Sequence, residues 1–277
     1  MSHMRSVAIL FLAVVPMTTF AESNIRFQWR SGEKLQYRVA QDTTVQDTAD
    51  GQTLATQTKL NLTKQWTVAN VDSAGVATLQ MSLLHLRMET KKGNGDPIIF
   101  DSSKTDSQQA ELNKEMLQYI GQPIATLRID SQGRVIEVKE SKFGPASRFT
   151  SELPFRLTLP DVGPIAGQSW ERTYSVKLEP PQGAGETYDA VQKYTATAIN
   201  DGIATITLTT QIKNLPEAAV DRISLIPMSP TGVLTFNLKS GRLQKAELKM
   251  AAQLAEHRGA GSSFTFSSTY TEEQVER

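Results

Sequence analysis

The chain has no cysteine among its 277 residues. Disulfide staples, thiolate nucleophiles, cysteine zinc sites and iron–sulfur clusters are therefore outside its chemistry. It also lacks an excess of either charge, since 29 basic side chains balance 29 acidic ones. The basic surplus that usually marks a nucleic-acid binder is missing. Histidine is scarce: beyond His3 there are only His85 and His257, too far apart in sequence to suggest a zinc set. No G-x-S-x-G elbow, P-loop, G-x-G-x-x-G, H-E-x-x-H or EF-hand spacing occurs. Long apolar runs are missing after the first twenty residues, so no second segment has the roughly 18–20 apolar residues of a membrane helix. With 39% hydrophobic and 21% charged residues, the composition is that of a folded chain rather than a disordered one.

Residues 1–21, MSHMRSVAILFLAVVPMTTFA, have the layout of a secretory signal peptide. Arg5 precedes the apolar run Val7–Val15, Pro16 breaks that run, and Thr19-Phe20-Ala21 offers a small-x-small cleavage site. Cleavage after Ala21 is expected, with the rest exported to the periplasm or secreted. Without cysteine, an exported chain must draw its stability from a sizeable hydrophobic core.

The remainder carries an internal echo. Gly32–Val39 is matched by Gly167–Tyr174, Gln65–Val68 by Lys193–Ala196, Gly75–Leu79 by Gly202–Ile206, and Ile129–Val135 by Leu238–Leu243. The order is the same in both halves, which suggests duplication; similar hairpin grammar arising twice is the alternative. The chain divides on this basis into a signal peptide (1–21), a first β module (22–139), a proline-rich connector (140–166) and a second β module (167–277).

Both modules read as strands joined by turns. The first has strands over Lys34–Thr48, Leu54–Val71 and Val76–Met88; the second over Trp170–Leu178, Tyr188–Ile199 and Ile203–Ile212. Each ends in a hairpin, Ile124–Lys139 and Val233–Met250, and a last hairpin joins Leu248–His257 to Ser263–Glu272. A helix is expected from Ser103 to Gly121, and a shorter one from Pro216 to Ser224, stopping before Pro227. In the connector, Gly144-Pro145, Leu153-Pro154, Leu159-Pro160 and Gly163-Pro164 rule out a regular strand. Phe149, Phe155, Leu157 and Leu159 make it too apolar for a loose linker, so it should pack along both halves.

One strand breaks its own pattern. Ala77, Leu79, Met81 and Leu83 share a face, but Leu84, Leu86 and Met88 fall on the other. Such a switch fits a strand that bends or is covered on both sides. Together with Phe100 of the run Pro97–Phe100 and with Leu112, Met116 and Ile120 of the expected helix, Met81, Leu84, Leu86 and Met88 are the candidate lining of an apolar cavity in a curved sheet. The ordinary alternative is a filled core between sheet and helix. His85 reads as a buried or rim histidine, and His257, beside a glycine-rich turn, as a solvated one. Asp96 and Asp101 are the acidic pair nearest to a calcium-binding or acid–base arrangement, although aspartates in polar loops are common.

Phe27–Arg38, Trp66–Leu79, Phe100–Ser103, Ile129–Val135 and the passage from Leu159-Pro160 to Trp170 together resemble a family of exported bacterial β-rich proteins without an assigned function. The resemblance spans most of the chain after Ala21; it implies an exported β-rich domain and carries over no catalytic residue. A looser topological likeness is to periplasmic lipoprotein carriers with a half-open barrel.

The expected fold is mainly β: two related antiparallel modules, each with a helix or helical turn on a curved sheet, as separate sheets or as one open barrel. The expected function is non-enzymatic binding of an apolar or lipid-like ligand. An envelope structural or protein-interaction module with a filled core is the alternative, and a carboxylate-dependent hydrolase a remote one. No cofactor or metal is expected, and the partner is an apolar small molecule or an envelope protein.

Overall fold

The computed structural model describes residues 25–104, 114 and 116–275. The expected signal peptide, Leu112 and most of the helix expected from Ser103 lie outside the described residues. Twelve strands run in chain order: β1 (Lys34–Ala49), β2 (Gln52–Val71), β3 (Ala77–Lys92), β4 (Ile98–Asp101), β5 (Pro123–Ile129), β6 (Val135–Ser141), β7 (Ser169–Lys177), β8 (Thr187–Asn200), β9 (Ile203–Ile212), β10 (Thr231–Asn237), β11 (Arg242–Ala255) and β12 (Ser263–Gln274). Single helical turns accompany them at α1 (Arg148–Ser151) and α2 (Ala219–Arg222), the latter continued by a 3₁₀ segment, Ile223–Met228. Pro227 lies inside that 3₁₀ segment rather than beyond the helix as expected from sequence. Its fixed φ suits 3₁₀ geometry, so it did not act as a stop signal.

All strands join one antiparallel sheet in the order β6-β5-β3-β2-β1-β12-β11-β10-β9-β8-β7, with β4 attached to the far end of β3. Among the described residues there is no second sheet. Strand β12 sits between β1 and β11 and welds a β1–β6 meander to a β7–β11 meander running in the same order. Both meanders carry a β-bulge at the end of an echoed segment. In one, the register shifts between Val68 and Asn70; in the other, between Ala196 and Ala198. A bulge increases local twist and bends the strand. The two hairpin turns also use the same device. Asp130 Oδ1 accepts the N–H groups of Gln132 and Arg134, and Asn237 Oδ1 those of Lys239 and Ser240.

Between these turns runs the segment before β1. Phe27 N–H donates to Ser131 O at 2.7 Å, and Gln28 N–H to Gly241 O at 3.3 Å. Gly133 (φ +87°) and Gly241 (φ +64°) are required here. A Cβ would stand 2.6 Å from the Phe27 ring at the first and 2.5 Å from Arg26 O at the second.

The sheet curls without closing. Its edges β6 and β7 are separated by the connector, with α1 packed against both. Phe155 of the connector, only 1% exposed, is the centre of the core. Its ring lies 5.4–5.9 Å from those of Phe27, Trp29, Tyr37 and Trp66. Leu157 and Leu159 continue this packing against both meanders. The connector's polar backbone is satisfied on the way: Trp170 Nε1 donates to Thr158 O at 2.7 Å, and Leu159 N–H to Gln132 O at 2.8 Å. Apolar side chains alternate along the strands, as in Ala204, Ile206 and Leu208 of β9, so the concave face forms the core.

Candidate functional site

The broken pattern in β3 has a local cause. Between β2 and β3 the register slips at Thr63/Lys64, which face His85 and Leu83, so that Leu84 is an extra residue. A bulge of this kind turns its extra residue outward and restores the alternation beyond it. Leu84 is correspondingly 39% exposed and is not a lining residue, contrary to the sequence expectation. Leu86 and Met88 return to the concave face, opposite Leu62 and Leu60 in register.

The result is a cavity of about 360 Å³. Its floor is Leu60 and Leu62 of β2 with Met81, Leu83, Leu86 and Met88 of β3. Met116 and Tyr119 border it on one side, and Phe143 and Phe149 of the connector on another. Of the sequence candidates, Met81, Leu86, Met88 and Met116 meet in this one space. Phe100, opposite Met88 in register, is 1% exposed and packed into the wall without reaching the cavity. Ile120 makes a bridge to Leu83 beside it and does not line it. Its turn is closed by Gly121 N–H donating to Leu83 O at 2.7 Å, which leaves Ile120 tied to the strand edge.

Sequence reasoning did not find the polar end of the cavity. Lys64 of β2 points into the concave face, where its Nζ lies 2.8 Å from Glu272 Oε1 of β12. Glu272 is fully buried and also accepts from the Tyr270 hydroxyl at 2.5 Å. Arg156, beside Phe155, places its guanidinium 4.7 Å from the Tyr270 ring centroid and 3.5 Å from Glu152. Arg148 of α1 lies over the Phe149 ring at 5.4 Å and donates to Phe143 O at 3.3 Å. A period-two signal was present for the buried pair. Lys64 interrupts Leu60, Leu62, Trp66 and Val68, while Glu272 follows Phe264, Phe266 and Tyr270 on the same alternation.

Burial sets the protonation of this group. It pushes the Lys64 ammonium below its usual range, with Glu272 pulling the other way. Burial, and then Glu272, raises the Tyr270 hydroxyl far above the ordinary phenol value, which keeps it a donor. Burial works against the charge on Arg156, but Tyr270, Glu152 and Glu272 outweigh it and hold the guanidinium charged.

Gln41, Glu152, Arg156 and Tyr270 form a ridge, beyond which lies a second cavity of about 110 Å³ bounded by Leu208, Leu248, Met250 and Met228. Neither histidine joins either space. His85 lies on the outer side, 41% exposed and 3.4 Å from Asp101. His257 is not solvated as expected. Its side chain is fully buried, 3.0 Å from Asp47, because the β11–β12 turn folds it against Phe264. Asp101 is committed to local bonds: Ser103 Oγ and N–H, then Arg87, hold its pKa down to about 2. Among the described residues, no group of three potential ligands could hold a metal ion, and no helix is long and apolar enough to cross a membrane.

No family model matches the chain, and no curated protein matches it significantly. Two solved structures are similar over most of its length. Lipovitellin, from a structure on lipid–protein interactions, is 10% identical with a TM-score of 0.42, covering 89% of this chain and 25% of its own. DynF from the dynemicin biosynthesis pathway of Micromonospora chersina is 6% identical with a TM-score of 0.24, covering 96% of this chain and 92% of its own. The chain thus spans about a quarter of the lipovitellin chain it matches. At these scores neither likeness supports an inference about this protein.

Proposed function

We propose that this chain is an exported, non-enzymatic binding protein that carries an apolar or lipid-like molecule inside its curved sheet. The observation behind the reading is the 360 Å³ cavity, floored by leucine and methionine and bordered by the connector. Its volume lies within the roughly 300–1,000 Å³ of small-molecule sites, and such sites are mostly apolar with a few placed polar groups. Unbranched methionines such as Met81, Met88 and Met116 adapt to variable hydrocarbon shapes. Export rests on the N-terminal signal pattern and on the resemblance to an exported bacterial family. The parallel strand order and paired bulges of the meanders support the further reading that they are copies of one unit, of which one copy acquired the ligand space.

Native mass spectrometry of protein purified from its own host, before and after organic extraction, tests this reading. An apolar bound mass that leaves on extraction is expected. A ligand-free mass that stays unchanged after incubation with host lipid extract would overturn it. An interaction module would then be favoured by the exposed Leu54 and Ile98 at the far ends of β2 and β4, 56% and 48% exposed.

A further inference from the structure

We propose that the ligand is an anionic amphiphile whose head is held by Arg148 and Arg156 while its hydrocarbon lies along Leu62, Leu86 and Met88. This rests on the cavity being a ligand site and adds the chemistry of the bound molecule. Three cations border the cavity, Lys64, Arg148 and Arg156, against one carboxylate, Glu152. They are not spread around it. All three lie toward the ridge and the connector, and the opposite floor is leucine and methionine.

The cations differ in how far the protein already neutralises them. Lys64 is held by Glu272 at 2.8 Å. Arg156 meets Glu152 at 3.5 Å, longer than the roughly 2.7–2.9 Å of a strong charge-assisted bond. Arg148 has no acidic partner among the described residues, only the Phe143 carbonyl and the Phe149 ring. A guanidinium offers five donors in a planar fork that matches a carboxylate or phosphate. Two incompletely paired forks beside an apolar space suit one anionic group at the end of a chain. A neutral head would leave them as they are, and a cationic head would be repelled. A fatty-acid carboxylate and a lipid phosphate would satisfy the forks alike.

Titration of the purified full-length protein with dodecanoate, dodecyl phosphate, dodecanol and dodecyltrimethylammonium, below their micelle concentrations, tests the proposal. One or both anions should bind about tenfold tighter than dodecanol, with the cation weakest. The tighter anion distinguishes carboxylate from phosphate as the head. Arg148→Gln, at a half-buried surface position, should shrink the anion's advantage over dodecanol. Equal binding of anion and alcohol, tighter binding of the cation, or an undiminished anion preference in Arg148→Gln would overturn the head-group assignment while leaving the cavity reading intact. No binding of any of the four would remove both.

Discussion

On the β7–β11 side of the sheet, Leu225 and Ile226 of the 3₁₀ segment press into the concave face, 2% and 9% exposed. Leu225 joins Val176, Leu178, Ala190 and Ile212 in a compact satellite core, beside the cavity of about 110 Å³. On the β1–β6 side, the same strand order and the same bulge curve the sheet around about 360 Å³. The second bulge, at Thr63/Lys64, has no counterpart in the β8–β9 pairing, where the register shifts once. The difference teaches that curvature alone does not make a binding space. A shared scaffold becomes core or cavity according to what the connection between its third and fourth long strands lays across it, and which side chains line the floor.

Six substitutions would break or sharpen that contrast. The largest effect is expected at the ridge between the lobes. Glu272→Gln leaves the Lys64 ammonium buried without its carboxylate, and equilibrium denaturation should record a loss of about 3–5 kcal/mol. A negligible change would mean that the pair does not hold β2 and β12 to one arrangement.

Leu225→Ala in the filled lobe should cost about 2–5 kcal/mol, and Met88→Ala on the cavity wall less than about 1 kcal/mol, because truncation there only enlarges a space that already exists. Equal losses would erase the distinction between the lobes. Gly133→Ala and Gly241→Ala probe what the meanders share. Each forces a side chain into a left-handed backbone, at about 1–2 kcal/mol, and against the segment before β1. Similar drops in the denaturation midpoint are expected, and a tolerated change at one of them would show that the clamp is one-sided.

The smallest effect belongs to Tyr194 in the filled lobe. Tyr194→Phe removes a hydrogen bond to Gln192 Oε1 at 2.9 Å, worth about 1 kcal/mol near neutral pH. Burial raises the Tyr194 hydroxyl to about 12, with Arg172 opposing. Because the folded value lies above the unfolded one, this contribution is complete below pH 10 and is lost as pH climbs toward 12. A stability-versus-pH curve should therefore fall less steeply there for the variant. Tyr37 and Tyr270, also raised by burial, keep part of the slope in place.

Much of the sheet was legible because period-two alternation and Gly/Asp/Asn turns are local signals. Strand β9 begins and ends at Ile203 and Ile212 as read from sequence, and β1 and β2 agree to within a residue or two. The candidate lining was legible only in part. Met81, Leu86, Met88 and Met116 could be grouped by their apolar character. Leu84 could not be told from them, since the bulge that turns it outward depends on its pairing with β2. His257 was misread for the same reason, its burial being supplied by Phe264 and Asp47 from other strands.

Alternation, turn chemistry and the proline-broken connector were enough, by themselves, to determine a mainly β chain and most of its strand boundaries, since each depends on neighbours within a few residues. Tertiary structure alone decided that the modules share one sheet, that β12 joins them, and that Phe155 fills the centre. It also decided that Lys64 and Glu272, more than two hundred positions apart, meet in the interior. Pairing partners, bulge positions and the cost of burying charge depend on residues distant in sequence, and those relations exist only once the chain has folded.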